Sequence, residues 1–418
     1  MADLQDELRP LPEAGELDAE AQTAPSPGAP YTRGTHRTEE SGATEPGAVP
    51  EPESERGRGP EPGSERGRET GRERERETQD SPLERARALL AAHPVADGYS
   101  GLPWALRHLP WYDLQLGESA VDTDVPRLRE GHVGALLWSL HPPEGLAPER
   151  AVGATLEQLD HARSVIAAHP EGLRLALSAG QVIDAHHCGR VAVVLGPATA
   201  AAVDGSLGIL RSLHTLGLRV LTLVDASWAG ESGLTRFGEE VVREMNRIGV
   251  LADLSGASDA TIGRVLALSK TPVLCTRSAA RALRPHPGNL PDGLLAELGA
   301  AKGLCLVPLT AEQTGPSVRD VADHLDHVRA IAGPDCVGLS GTYDSGAAHP
   351  QGLADASGYP HLIAELLGRG WPETDIALLT WGNMQRVLRT ADFAARAARD
   401  RREPPTAGVA RLDGRQDA

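Results

Sequence analysis

The sequence has few cysteines, little lysine and no excess of positive charge. The first and last of these shortages each exclude a class of protein. Its four cysteines, Cys188, Cys275, Cys305 and Cys336, show no paired spacing, so neither a disulfide framework nor a zinc-finger site is expected. Only two of its 41 lysines and arginines are lysines, a bias typical of a GC-rich bacterial genome. The formal net charge is −17, and without a concentrated basic surface no binding to nucleic acid is expected.

Long apolar runs are also missing. None approaches the roughly 18–20 residues of a membrane-spanning helix. Residues 1–7 are acidic and have neither the basic nor the apolar part of a secretory signal. These features predict a cytoplasmic protein without a membrane span.

Residues 1–82 are predicted to form a disordered tail. Residues 1–80 contain 20 acidic residues and 10 arginines, a net 10 − 20 = −10, and Tyr31 is their one aromatic residue. Such a segment cannot bury enough apolar surface to offset the entropy of ordering it. The folded domain is placed at 83–395, and residues 396–418 are predicted to be a flexible carboxyl-terminal tail.

From residue 83 onward, short apolar runs alternate with longer amphipathic segments. Runs such as 191–195 and 220–224 are almost continuously apolar, which is typical of parallel strands covered on both faces. Eight such strands with intervening helices predict an α/β fold of the (β/α)8 TIM-barrel type. A doubly wound open sheet is the alternative, because periodicity alone cannot close a barrel. The predicted strands lie near residues 93–97, 133–139, 190–196, 218–224, 249–254, 271–276, 303–309 and 336–341.

In such a barrel the active site lies at the carboxyl ends of the strands. A two-metal hydrolytic site needs about four to six converging His, Asp or Glu side chains. The predicted strand ends offer Asp225, Asp344 and Asp97, but no histidine. Gly-x-Ser-x-Gly is absent too, so a serine triad is not indicated. The residues alone do not support metal-assisted hydrolysis.

The densest group of potential metal ligands is His186-His187-Cys188, directly before a predicted strand. Adjacent residues project in different directions, and this group lies near the amino end of the strand, away from the expected site. It is therefore not predicted to bind a metal. His324 and His327 have helical spacing and are interpreted as structural.

Residues 97–104, Asp-Gly-Tyr-Ser-Gly-Leu-Pro-Trp, resemble a family signature. It is the opening motif Asp-Gly-His-Asn-Asp-Leu-Pro-Trp of the membrane (renal-type) dipeptidase family, peptidase family M19. The resemblance is collinear from about residue 88 to 393. It implies the family's metal-dependent hydrolase barrel, a zinc-dependent dipeptidase activity and a homodimer.

The departures from the family fall where it keeps its metal and substrate residues. Two zinc ligands of the opening motif, for example, are replaced by Tyr99 and Gly101. The resemblance therefore implies a degenerate member that has lost its binuclear zinc site, with no catalytic residue and no metal cofactor. The positions that match family metal or substrate residues are Tyr99, Gly101, Ala198, Asp225, Gly256, Arg277, Gly288 and Thr342.

Arg277 stands where the family has a ligand of the second zinc, so a permanent cation replaces a metal ligand. A buried cation needs a counter-ion. Asp225, Asp344 or Asp97 is predicted to supply it, with Tyr99 as a hydrogen-bond donor. These five residues form the predicted ligand cleft.

Two functions of different classes remain open. The first is a non-catalytic barrel, a pseudoenzyme, that binds a small ligand or a protein partner. The alternative is an active hydrolase or dipeptidase of the family with an altered or metal-free site. A scaffold without any ligand would be a third outcome.

Overall fold

The computed structural model describes residues 81–118, 120–142, 145–399, 401 and 403–414. The predicted amino-terminal tail lies outside the described residues, except for residues 81 and 82. There Ser81 begins the first helix with a capping box. Its hydroxyl accepts the Glu84 N–H, while the Glu84 carboxylate accepts the Ser81 N–H.

The wall of the barrel is built from short, buried, mostly apolar strands. Val133–Trp138 and Val191–Leu195, for example, are buried at every position. This is expected of parallel strands with helices on one face and a packed interior on the other. The strands are β1 (Val95–Ser100), β2 (Val133–Trp138), β3 (Leu173–Leu175), β4 (Val191–Leu195), β5 (Ala198–Thr199), β6 (Val220–Thr222), β7 (Ala229–Gly230), β8 (Gly233–Leu234), β9 (Leu251–Asp253), β10 (Leu274–Cys275), β11 (Leu304–Pro308) and β12 (Val337–Ser340).

The main sheet closes on itself. Its order is β3-β4-β2-β1-β12-β11-β10-β9-β6-β5, and only Gly196 and Pro197, joined by a cis peptide bond, separate β4 from β5. Leu195 bridges Leu218, and β5 pairs with β6, so β4 and β5 together complete the ring. The (β/α)8 barrel is confirmed and the open sheet excluded. The sequence missed β3, which adds to β4 outside the ring, because three residues carry too little pattern.

Helices lie between most of the strands, and several of them begin at a capping side chain. In α7 the Thr235 hydroxyl accepts the Gly238 N–H at the start, and Gly249 ends the helix with φ 86°. No helix of the described residues is both long and apolar enough to cross a membrane. The helices are α1 (Pro82–Ala92), α2 (Leu102–Arg107), α3 (Val125–Glu130), α4 (Ala151–Ala168), α5 (Ala179–His187), α6 (Leu207–Leu216), α7 (Arg236–Ile248), α8 (Asp259–Leu268), α9 (Asp292–Ala300), α10 (Val318–Ala332), α11 (Tyr359–Gly368), α12 (Glu373–Ala377), α13 (Asn383–Arg399) and α14 (Val409–Asp413).

Helix α13 packs against the residues that fill the barrel. Met384 and Val387 belong to the same buried cluster as Leu137 and Val194 of the strands. The domain boundaries stay predictions, although the one placed at residue 395 falls inside α13. Beyond it, Leu412 of α14 is partly buried against the hydrophobic core.

Candidate functional site at the strand ends

Arg277 and Tyr99 form the centre of the candidate site. Arg277 follows β10, and its Cζ lies 4.4 Å from the centroid of the Tyr99 ring, a cation–π contact. The Arg277 N–H donates to the Ser255 hydroxyl (3.0 Å), and its carbonyl accepts from Gln313 Nε2 (3.2 Å). The two residues are together, as predicted, but they meet through the face of the aromatic ring.

The predicted ion pair of Arg277 with a carboxylate is wrong: no such pair exists among the described residues. Asp225 follows β6, which is separated from β10 by β9, and its side chain is exposed. Arg277 Nε is buried without a hydrogen-bond partner, and its terminal nitrogens donate to no group in the described chain. An arginine that keeps part of its surface in water needs no counter-ion. The N–H donors of the guanidinium therefore remain unpaired within the described chain.

Asp97 is committed to the backbone. Its carboxylate is fully buried, and Oδ1 accepts the N–H groups of Gly341 (2.6 Å) and Tyr99 (3.1 Å). Burial raises the pKa of Asp97 to about 6, although both hydrogen bonds act in the opposite direction. Asp97 thus ties β1 to the segment after β12.

Asp344 belongs to the same segment after β12, and its partners are Asp122 and Thr123. Its Oδ1 accepts the Asp122 N–H (2.7 Å), its Oδ2 accepts the Thr123 hydroxyl, and its own N–H donates to Asp122 Oδ2 (2.9 Å). Burial raises the pKa of Asp344 to about 7, and the charges of Asp122 and Asp124 act in the same direction. The carboxylate therefore anchors the loop before α3 and does not pair with Arg277.

Asp344 is expected to make the folded protein lose stability as the pH rises. Its pKa is raised from 3.8 to about 7 on folding, so the folded state binds the proton more tightly, and that advantage disappears across this window. Asp344→Asn can keep both hydrogen bonds but cannot titrate. Between pH 4 and 7, the free energy of unfolding of the wild type should fall relative to that of the variant. Urea unfolding at several pH values measures this, and parallel curves would contradict it.

His141, after β2, belongs to the site and was missed by the sequence prediction. Its ring lies 6.3 Å from that of Tyr99, and Nδ1 lies 3.1 Å from the Ser139 hydroxyl. Burial lowers the pKa of His141 to about 3, the Arg277 guanidinium acts in the same direction, and Asp253 opposes them. The imidazole is therefore neutral at pH 7. Its position three residues after an apolar run was the available signal.

Asp253 connects three strand ends beneath Arg277. The fully buried carboxylate accepts the Thr222 hydroxyl (2.7 Å), the Thr276 N–H (2.9 Å) and hydroxyl (3.0 Å), and the Ser255 N–H (3.2 Å) and hydroxyl (2.7 Å). Ser255 in turn accepts the Arg277 N–H. Asp253 therefore positions the backbone of Arg277.

The segment after β12 occupies the place of a side chain at residue 101. A Cβ atom added to Gly101 would lie 2.3 Å from the carbonyl oxygen of Asp344. This arrangement is fixed, because Gly101 N–H donates to the Tyr343 carbonyl (2.8 Å) and Thr342 N–H donates to the Tyr99 carbonyl (2.9 Å). Only glycine fits at residue 101 without a shift of the backbone.

The remaining predicted positions are not brought into a common cluster. Ala198 is fully buried in the wall, whereas Gly256 is exposed, with φ 77°. A Cβ at Gly288 would lie 2.9 Å from Gln313 Nε2. Thr342 donates its hydroxyl proton to the Gly341 carbonyl (2.6 Å).

A (β/α)8 barrel with its candidate site at the strand ends is an architecture of the metal-dependent hydrolases. The chain belongs to the membrane dipeptidase family, peptidase family M19, whose model matches residues 83–402.

Individual relatives agree with this assignment. "Dipeptidase 3" of Mus musculus is 38% identical over 332 residues, which cover 74% of this chain and 66% of that protein. "Dipeptidase verJ" of Clonostachys rogersoniana is 32% identical over 346 residues, which cover 75% of this chain and 88% of that protein. A metallo peptidase from Rhodobacter sphaeroides, solved with a phosphinate mimic of the dipeptide L-Ala-D-Ala, superposes with a TM-score of 0.66 at 25% identity, covering 71% of this chain and 99% of that one.

The family assignment corrects one prediction. A cytoplasmic location is wrong, because the matching family is that of the membrane dipeptidases. The absence of a secretory signal and of a long apolar run does not determine the location of a protein.

The family is one of zinc metallodipeptidases, but the strand-end residues do not fit a zinc pair. The Asp344 carbonyl fills the space of a side chain at Gly101, and a guanidinium lies over Tyr99. Within the described ranges, no three His, Cys, Asp or Glu side chains are arranged to hold a metal ion.

Proposed function

We propose that this chain is a non-catalytic member of the dipeptidase family that binds a small carboxylate-bearing ligand at its strand ends. The observation that carries the proposal is the position of Arg277. Its guanidinium is stacked on Tyr99 and forms no ion pair with a described carboxylate. A planar guanidinium with unused donors matches the two oxygens of a carboxylate.

The surroundings of Arg277 support an anionic ligand. Asp97 and Asp344 are bound to backbone and hydroxyl groups, so they do not compete for the guanidinium. His141, with a pKa of about 3, is neutral at pH 7 and can donate one hydrogen bond without requiring a second anion.

The loss of zinc chemistry is tested by metal analysis together with a dipeptide hydrolysis assay. The full chain, purified in the presence of zinc, is expected to retain far less than one equivalent and to show no turnover. Two equivalents of zinc per chain with turnover would establish the alternative, an active dipeptidase with an altered site.

Ligand binding is tested by thermal shift with dipeptides, peptides of D-amino acids and small carboxylic acids. A carboxylate ligand should raise the melting temperature of the wild type, and Arg277→Gln should abolish the shift. Arg236→Gln, an exposed arginine at the start of α7, is the matched control and should keep it. An unchanged melting temperature across the panel would favour a scaffold without a ligand. A protein partner and a homodimer likewise stay proposals, and sedimentation of the full chain tests the second.

A further inference from the structure

A second group of positive side chains lies at the opposite end of the barrel. Pro94, His132 and Arg190 directly precede β1, β2 and β4, so they mark the amino ends of three neighbouring strands. They line a cavity of about 180 Å³, together with Arg129 and His186. We call this the basic cavity. It includes His186, from the cluster that the strand-end site left unexplained.

The basic cavity has no internal counter-ion. Its lining contains two arginines and two histidines but no aspartate or glutamate. In the described part of the chain, neither Arg129 nor Arg190 forms an ion pair or a side-chain hydrogen bond. Two arginine cations that share one concave surface without a carboxylate create a positive potential that attracts an anion.

The pKa values of His132 and His186 reflect the same lack of negative charge in the basic cavity. Burial lowers the pKa of His132, and the charge that acts on it is that of Arg87 on α1. Burial also lowers the pKa of His186, and the charge that acts on it is that of His187. Both neighbours are basic, so no carboxylate compensates either imidazole.

One wall of the basic cavity is apolar. Leu90 and Ala91 of α1 belong to its lining, and the ring of His186 lies 5.5 Å from that of Trp381. The volume is below the roughly 300–1,000 Å³ of cavities for drug-sized ligands. A small dianion with a short organic group matches both the charge and the size.

We propose that the basic cavity binds a phosphate group, carried by a small phosphomonoester. Arg129 and Arg190 would hold the phosphate oxygens through charge-assisted hydrogen bonds. His132 and His186 would donate further hydrogen bonds, and the apolar wall would take the organic part. The site is independent of the strand-end site and does not depend on the proposed function.

Isothermal titration of the full chain tests the proposal with inorganic phosphate, glycerol phosphate and glycerol. Glycerol phosphate is expected to bind more tightly than inorganic phosphate, and glycerol not at all. The double variant Arg129→Gln/Arg190→Gln should weaken binding about tenfold or more, because it removes two charge-assisted contacts. Arg277→Gln is the control that should leave phosphate binding unchanged, while the double variant should keep the carboxylate response of the strand-end site.

A second readout needs no substitution. Cys188 is exposed and adjacent to Gly189 of the cavity lining, whereas the other three cysteines are buried. Bound ligand should slow the reaction of Cys188 with a thiol reagent. The proposal is overturned if millimolar phosphate and glycerol phosphate produce neither heat nor protection of Cys188, or if the folded double variant binds as the wild type does.

Discussion

Replacing Asp253 by alanine is expected to destabilise the protein by about 3–5 kcal/mol. The fully buried carboxylate accepts five hydrogen bonds from Thr222, Ser255 and Thr276, and no described group replaces it as acceptor. The variant leaves buried N–H and hydroxyl donors without partners, and a buried donor without a partner costs about 1–3 kcal/mol before relaxation. Urea unfolding, followed by circular dichroism, measures the loss.

Two further substitutions test whether the loss of stability comes from the hydrogen bonds that Asp253 accepts. Asp253→Asn keeps the volume and one acceptor, so a loss of about 1–3 kcal/mol is expected. Asp225→Asn changes the same residue type at the end of a neighbouring strand, where the side chain is exposed, and should stay within about 0.5 kcal/mol. An unchanged unfolding midpoint for Asp253→Ala would show that the connection between these strand ends carries little stability.

The strands were predictable because their signal is local and repeated. Runs such as 191–195 are apolar at every position, since both faces of a barrel strand are covered. The structure places a strand at each of the eight predicted positions. The ring closure was not predictable from the sequence pattern, because it depends on pairing between separate segments. Leu195 bridges Leu218, and β5, which follows the Gly196–Pro197 bond, pairs with β6.

The proximity of Arg277 and Tyr99 was predictable, but the contacts of the strand-end residues were not. The sequence placed Arg277 and Tyr99 at the same edge, since the carboxyl ends of parallel strands converge there. It did not indicate that Arg277 would stack on a ring, or that Asp344 would turn toward Asp122. Such choices depend on differences of about 1–2 kcal/mol between competing polar contacts. These differences arise only once the loops are folded.

The structure leaves no space for a side chain at residue 101. Restoring the family's residue with Gly101→Asp is expected to destabilise the protein by about 2–4 kcal/mol, because its Cβ would lie 2.3 Å from the Asp344 carbonyl oxygen. The clash begins at the Cβ, so Gly101→Ala should be nearly as destabilising. Gly263→Ala is the matched control in α8, where no atom lies near the added Cβ, and it should be neutral or slightly stabilising.

The same geometry predicts that ligand restoration alone does not rebuild a zinc site. The segment that carries the Asp344 carbonyl is held by the hydrogen bond from Gly101 N–H to the Tyr343 carbonyl, the bond from Thr342 N–H to the Tyr99 carbonyl and the bond from Asp344 N–H to Asp122. The whole segment would therefore have to move to admit a carboxylate at residue 101. The triple variant Tyr99→His/Gly101→Asp/Arg277→His is therefore expected to remain without stoichiometric zinc by metal analysis. Tight zinc binding by this variant at wild-type stability would mean that the segment moves at little cost. The missing side chains, rather than the backbone, would then be the barrier to metal binding.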